Sequence, residues 1–172
     1  MFNDQAKAGG VFTVQCHDKD GNLKWEDSAP NLVVNQGLQD MNAKYFKGIG
    51  YSAAWYMGLI TGPGSGTTIA AADTLASHAG WTEFANYAGT RPAITFGTAT
   101  TADPSVISNS SVPSSFSISG VGGTVAGAFI CTAASGTSGV LFSASDFQSP
   151  GDRVVVSGDT LNVVYTFSLD AA

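Results

Sequence analysis

Hydrophobic and polar positions alternate with period two in several short runs along this chain, and recur with a helical period in one. In VFTVQCHD, Phe12, Val14 and Cys16 alternate with Thr13, Gln15 and His17, the mark of a half-buried strand, because successive side chains leave a strand on opposite faces. DKDGN follows, and its Asp20-Gly21 pair favours a hairpin turn, which demands positive φ. The return strand is expected at about Asn22 to Asp27, with Leu23 and Trp25 on one face. Residues 1–10, MFNDQAKAGG, show no periodicity and end in two glycines, so a flexible arm is expected ahead of one domain over residues 11–172.

The helical run lies near residues 35–46. Asn35 is placed to cap it, and Leu38, Met41 and Tyr45 recur at i, i+3 and i+7 as one apolar stripe, with Gly48 and Gly50 ending the helix. AAWYMGLI, from Ala53 to Ile60, is apolar on both faces and reads as a central strand, a short helix being the alternative that length alone leaves open. GPGSG, from Gly62 to Gly66, then breaks the chain. It lacks the Gly-Lys-Ser/Thr ending of a phosphate-binding loop, so it reads as a connector.

Beyond residue 84 short alternating runs are separated by Gly, Pro, Ser and Asn. Strands are expected near Pro92 to Gly97, Ser115 to Ser119, Val125 to Thr132, Val140 to Ser143, Arg153 to Val156 and Leu161 to Leu169. In the last, Leu161, Val163, Tyr165, Phe167 and Leu169 face one way. The fold class expected is therefore mainly β, an antiparallel β-sandwich or barrel with one α-helix.

Composition sharpens this picture. A chain of 172 residues can bury roughly 70% of the surface that its unfolded form exposes. Charged residues are only 12% of it, about half the usual share, so Ser, Thr, Asn, Ala and Gly must cover the outside. Such a surface suits a β-sandwich or a protein packed against neighbours. Seven basic residues stand against thirteen acidic ones, for a net charge of −6, and the basic residues are scattered singly, which argues against nucleic acid as a partner. No apolar run has the roughly 20 residues needed to cross a bilayer, so no membrane partner is expected. The N-terminus shows no apolar signal region, which points to synthesis in a cytoplasm. Cys16 and Cys131 lie in strand-like runs and are expected to be buried free thiols, a disulfide or a reactive site being the alternative.

Candidate chemistry concentrates in DTLASHAGWTEF, Asp73 to Phe84. Ser77 and His78 suggest a nucleophile and a base, but neighbours on a helical turn point about 100° apart and cannot work as a pair. No G-x-S-x-G elbow exists elsewhere. The structural reading is a short helical turn near 73–78, with Asp73 accepting from the amides of Leu75 or Ala76, Gly80 closing it in the left-handed region and Trp81 entering the core. DKDGN fails the spacing of a calcium loop, because Gly21 falls at position 4 where position 6 is required. It reads as a turn, a weak surface cation site being the alternative. Two histidines, His17 and His78, more than 60 residues apart and without metal-ligand spacing to Cys16 or Cys131, do not make a metal centre. No catalytic residue, metal ligand or cofactor is assigned.

The succession VFTVQCHDKDGNLKWEDSAPNLVVNQGL, WYMGLI, DTLASHAGWTEF, RPAITFG and GDTLNVVYTFSL resembles a family of small structural proteins of tailed bacteriophages. The likeness spans most of the chain and is most specific from DTLASH through GWTE to RPAI. It implies a virion component made in the host cytoplasm, and first a capsid decoration, or cement, protein of jelly-roll type. Such a protein binds the major capsid protein as a homo-oligomer, a dimer or trimer, across seams between capsomers. Under that reading the arm, from Met1, Phe2, Asn3, Asp4 and Gln5 onward, orders against an adjacent subunit; the plainer reading is a frayed terminus. The alternative is a tail or fibre-associated adaptor or receptor-binding protein, with Trp55, Trp81 or an exposed tyrosine as stacking platforms for a glycan, against which stands simple core packing.

Overall fold

The computed structural model describes residues 6–51, 54–61, 67–147 and 151–171. The elements follow in the order β1 (Ala6–His17), β2 (Leu23–Pro30), β3 (Leu32–Val33), α1 (Asn35–Lys47), β4 (Tyr56–Thr61), β5 (Thr82–Phe84), β6 (Ser105–Ser108), β7 (Ser114–Ser117), β8 (Gly123–Val125), β9 (Gly127–Cys131), β10 (Leu141–Asp146), β11 (Arg153–Val155) and β12 (Thr160–Ala171). The protein is mainly β, and the strands pair antiparallel.

A first sheet runs β2-β1-β12, with β6 and β7 sharing the far edge of β12. The first and last strands pair along their whole length, from Ala6 opposite Ala171 to His17 opposite Thr160. Alternation works as the sequence implied: Phe12, Val14, Cys16, Leu161, Val163 and Tyr165 are all fully buried. Residues 6–10, expected as part of a flexible arm, are instead the opening of β1, because the backbone of β12 satisfies their hydrogen bonds. Met1 to Gln5 lie outside the described residues, as does the connector Gly62 to Gly66.

The second sheet has the order β3-β10-β9-β4-β5, and β8 pairs β11 in a separate ribbon. Asn31 is the step from β2 in the first sheet to β3 in the second. One core cluster receives Met57, Leu59, Ala128, Ile130 and Phe142 from the second sheet and the buried residues of β1 and β12 from the first. The opposite face of the second sheet is apolar too: Ile60, Phe129, Cys131, Leu141 and Ala144 pack in a second cluster with Leu75 and Trp81. That is why β4 and β9 read as apolar on both faces.

Several local expectations are corrected. Helix α1 forms, but its N-cap is Val34 without a side-chain cap, and the Asn35 amide donates to the Ala71 carbonyl instead. Gly48 ends it in the left-handed region at φ 62°. Of the stripe Met41 packs against the core, but Leu38 is 41% exposed and Tyr45 85%. The helix approaches through Gly37, where a Cβ would meet the backbone of Phe142 in β10, so closeness of backbones replaces a side-chain stripe. Leu23 is exposed while Trp25 is half-buried. Residues 92–97 are extended but make only a bridge, Tyr56 opposite Ala93, because their bonds alternate between Trp55, Met57 and Ser108. The turn at DKDGN is observed, with Gly21 at φ 85° and the Asp18 carboxylate accepting from the Asp20 and Asn22 amides. These bonds, from the Asn22 side chain first, hold the Asp18 carboxyl below its usual range.

One buried residue completes the first sheet. Between β6 and β7, Asn109 is fully buried and lies beside β12. Its Oδ1 accepts from the Tyr165 amide at 2.7 Å, and its Nδ2 donates to the Val163 carbonyl at 3.3 Å. A side-chain amide thus stands where a strand backbone would. Asn109→Ala is expected to cost about 1–3 kcal/mol, since a buried N–H and C=O lose partners. Chemical denaturation should show this as a lower midpoint with an unchanged slope; an unchanged midpoint would contradict the role.

Candidate functional site

The polar stretch that looked catalytic covers the outer face of the second sheet. Thr74 and Ser77 exchange backbone hydrogen bonds at 2.9 and 3.1 Å, making a tight turn around Leu75 and Ala76 in place of the expected helical turn. A single helical turn fixes several dihedrals for about one hydrogen bond, whereas this turn makes two and points Leu75, 1% exposed, into the second cluster. Asp73 does not cap a helix. Its Oδ2 accepts from the Trp81 indole and from the Ala70 amide, both at 3.0 Å. Gly80 is not left-handed; the Thr68 carbonyl lies where its Cβ would be, and close approach is what requires glycine there.

Trp81 is 2% exposed and enters the core as expected, so it offers no stacking face to a glycan. One side of its ring is taken by the His78 ring, stacked at 3.7 Å and 12°. The Trp81 carbonyl accepts from His78 Nδ1 at 3.0 Å, which assigns the proton to that nitrogen. Among the described residues no hydrogen bond joins the Ser77 hydroxyl to His78; the Ser77 amide donates to Thr74 Oγ1 instead. Ser77 and His78 therefore do not form a nucleophile and base pair.

A second polar centre follows directly. Arg91, buried, donates from Nε and Nη2 to the two carboxylate oxygens of Glu83 at 2.7 and 2.6 Å. It also donates to the Ala133 and Gly136 carbonyls at 2.9 and 3.0 Å and lies over the Phe129 ring at 5.2 Å. This fork ties β5 to the loop after β9 and closes the end of the second cluster. Glu83 falls within the polar stretch and Arg91 eight residues after Glu83, and a lone buried arginine has no spacing that announces it.

Both cysteines are buried and free. Burial, followed by the charge of Asp159, pushes the Cys16 thiol up to about 11. Burial also raises the Cys131 thiol, against the lowering influence of Arg91. Among the described residues no group of three His, Cys, Asp or Glu side chains is placed to hold a metal ion, at DKDGN or elsewhere. No helix among them is long and apolar enough to cross a membrane.

Two features remain unabsorbed by the fold. At the C-terminal end of α1, Tyr45 and Phe46 are 85% and 77% exposed, with their rings edge to face at 5.0 Å, and Ile49 and Tyr51 are exposed beside them in sequence. Behind Tyr51 a cavity of about 450 Å³ opens between the two sheets. Phe142 and Tyr165 line its depth, residues of the 92–97 segment and β6 line one wall, and Trp55 and Met41 border it from the side of α1. No family model, curated protein or solved structure was found to match this chain.

Two outcomes test this reading. Arg91→Met is expected to cost about 3 kcal/mol, the lower end for breaking a buried pair because Glu83 keeps access to water; a loss below about 0.5 kcal/mol by denaturant titration would contradict it. The thiols should resist a thiol-specific reagent at pH 8 until the chain is unfolded, because the thiolate is the reacting species. The linkage has the same sign: above the ordinary thiol pKa only the unfolded chain ionises readily, so stability falls as pH rises through 9 toward 11. Rapid native-state labelling would contradict this placement.

Proposed function

We propose that this chain is a structural component of a tailed-bacteriophage virion, a capsid decoration protein that binds the major capsid protein as a homo-oligomer and stabilises the head. Its architecture is read here as a jelly-roll-like β-sandwich, since the chain steps repeatedly between two antiparallel sheets that share a core. The resemblance described above supports the reading, and so does the internal use made of its most specific stretch, whose Asp, His, Trp, Glu and Arg are spent on one another.

The observation that carries the proposal is the aromatic surface at the end of α1. Adjacent Tyr and Phe side chains, both more than three-quarters exposed, are costly to leave in water and are the residue types that dominate protein interfaces. Low charge and abundant small residues over the chain as a whole suit close packing against neighbours, and Lys44 and Lys47 flank the two rings. Cement action requires no reaction: each copy buries surface on neighbouring capsomers, and repetition over the shell multiplies the effect against the pressure of packaged DNA.

The double variant Tyr45→Ser, Phe46→Ser is expected to fold with stability within about 1 kcal/mol of the parent, since both side chains are exposed. It should lose binding to purified heads by about 2 kcal/mol or more per ring removed from a well-packed contact. Sedimentation of heads with labelled protein measures this. Quantitative gels of intact particles supply the second readout: copies on the scale of capsid subunits are expected, and copies on the scale of a tail ring would move the chain to the tail. Undiminished head binding by the double variant would reject α1 as the contact.

A further inference from the structure

The cavity behind Tyr51 has a chemistry that the virion reading does not use. Protein interiors are packed at crystal density, and voids larger than a water molecule are few. A void of about 450 Å³ is about three times the size of an engineered apolar cavity of about 150 Å³ that takes up benzene. It also falls within the range of small-molecule sites, about 300–1,000 Å³. Among the described residues its lining carries no charged side chain, and six of those ten residues are aromatic.

The polar atoms at its border are already engaged. The Tyr165 hydroxyl accepts from Asn31 at 2.9 Å and from Ser143 at 3.3 Å, and the Trp55 indole donates to the Tyr51 hydroxyl at 3.2 Å. Water in a cavity needs two to four polar partners, which this lining withholds. At the mouth Lys44 lies over the Tyr51 ring at 5.3 Å and is paired with Asp40; inside, a charged group would have no counter-charge among the described lining residues, and a sugar would lose the hydrogen bonds of most of its hydroxyls. A neutral hydrocarbon chain or ring loses nothing and gains contact with Phe96, Phe142 and Phe167. Only at the mouth, where Tyr51 is 59% exposed, can one polar group of the ligand reach a hydroxyl.

We propose that this cavity, between α1, the 92–97 segment and the two sheets, binds a neutral apolar small molecule whose one polar group stays at the mouth beside Tyr51 and Trp55. The site stands independently of where the protein acts.

The test titrates the intact protein with the neutral fluorophore N-phenylnaphthylamine. The expected result is saturable enhancement at one probe per chain, displaced by decanol and not by glucose. Ile107→Trp and Ile94→Trp each fill the cavity from a different segment of the same wall, β6 and the 92–97 segment, and each is expected to weaken binding by more than about tenfold. Phe46→Ser, outside the cavity, should bind as the parent does. Either filled variant suffices, provided thermal melting shows that it folds. Absence of saturable enhancement in the parent protein overturns the proposal. So does displacement by glucose, parental affinity in a folded filled variant, or loss of binding in Phe46→Ser, which would put the probe on the exposed aromatic surface.

Discussion

The second sheet has no face that can be left to water. Met57, Leu59, Ala128 and Ile130 point one way along β4 and β9, while Ile60, Phe129 and Cys131 point the other way. Two covers are therefore obligatory. The first sheet supplies one by regular means, through the alternating residues of β1 and β12. The other is built from irregular chain, which brings Ile69, Leu75, Trp81 and Ala133 onto that face. Irregular backbone over an apolar surface must satisfy its own polar groups. This is the task of Asp73 on the Trp81 indole, His78 on the Trp81 carbonyl, and Arg91 on Glu83 and two carbonyls. The residues with the most reactive appearance are thus held by a packing requirement.

Pairing the two ends of the chain imposes a further order. β12 fills the position between β1 and the short strands β6 and β7, so the first sheet closes only when the last strand arrives. Asn109 completes it at the interval that neither short strand spans. Contacts of such separation make the fold cooperative, and folding is expected to be slow relative to a helical protein of this size.

Strands whose buried face alternates were legible: β1, β2 and β12 stand where Phe12, Val14, Cys16 and Leu161 to Tyr165 put them, and the two-faced character of Ala53 to Ile60 fits β4. The buried thiols and the turn at Gly21 followed from equally local rules. What was hidden depended on distant partners. SVIS at Ser105–Ser108 becomes β6 only because β12 needs a neighbour. The i, i+3, i+7 stripe of α1 misled because Gly37, not Leu38 or Tyr45, meets the sheet. The roles that Asp73 and Gly80 take could not be deduced from spacing. A capping carboxylate and one that receives an indole have the same local sequence, and a glycine required by a carbonyl overhead looks like one required by φ. The cavity lining is drawn from α1, the residues before β4, the 92–97 segment, β6, β9, β10 and β12, and has no linear signature.

The polar side chains of the 73–91 region serve the fold itself, and the proposed function gives the exposed aromatic surface a neighbour. A density map of the assembled virion, resolved well enough to fit this chain, tests that account most directly. It should place many copies on the outer face of the head, with Tyr45 and Phe46 at the end of α1 buried against capsid protein and His78 enclosed within its own subunit. A chain found with that end of α1 in solvent, or with Ser77 and His78 facing a substrate cleft at a partner, would contradict it.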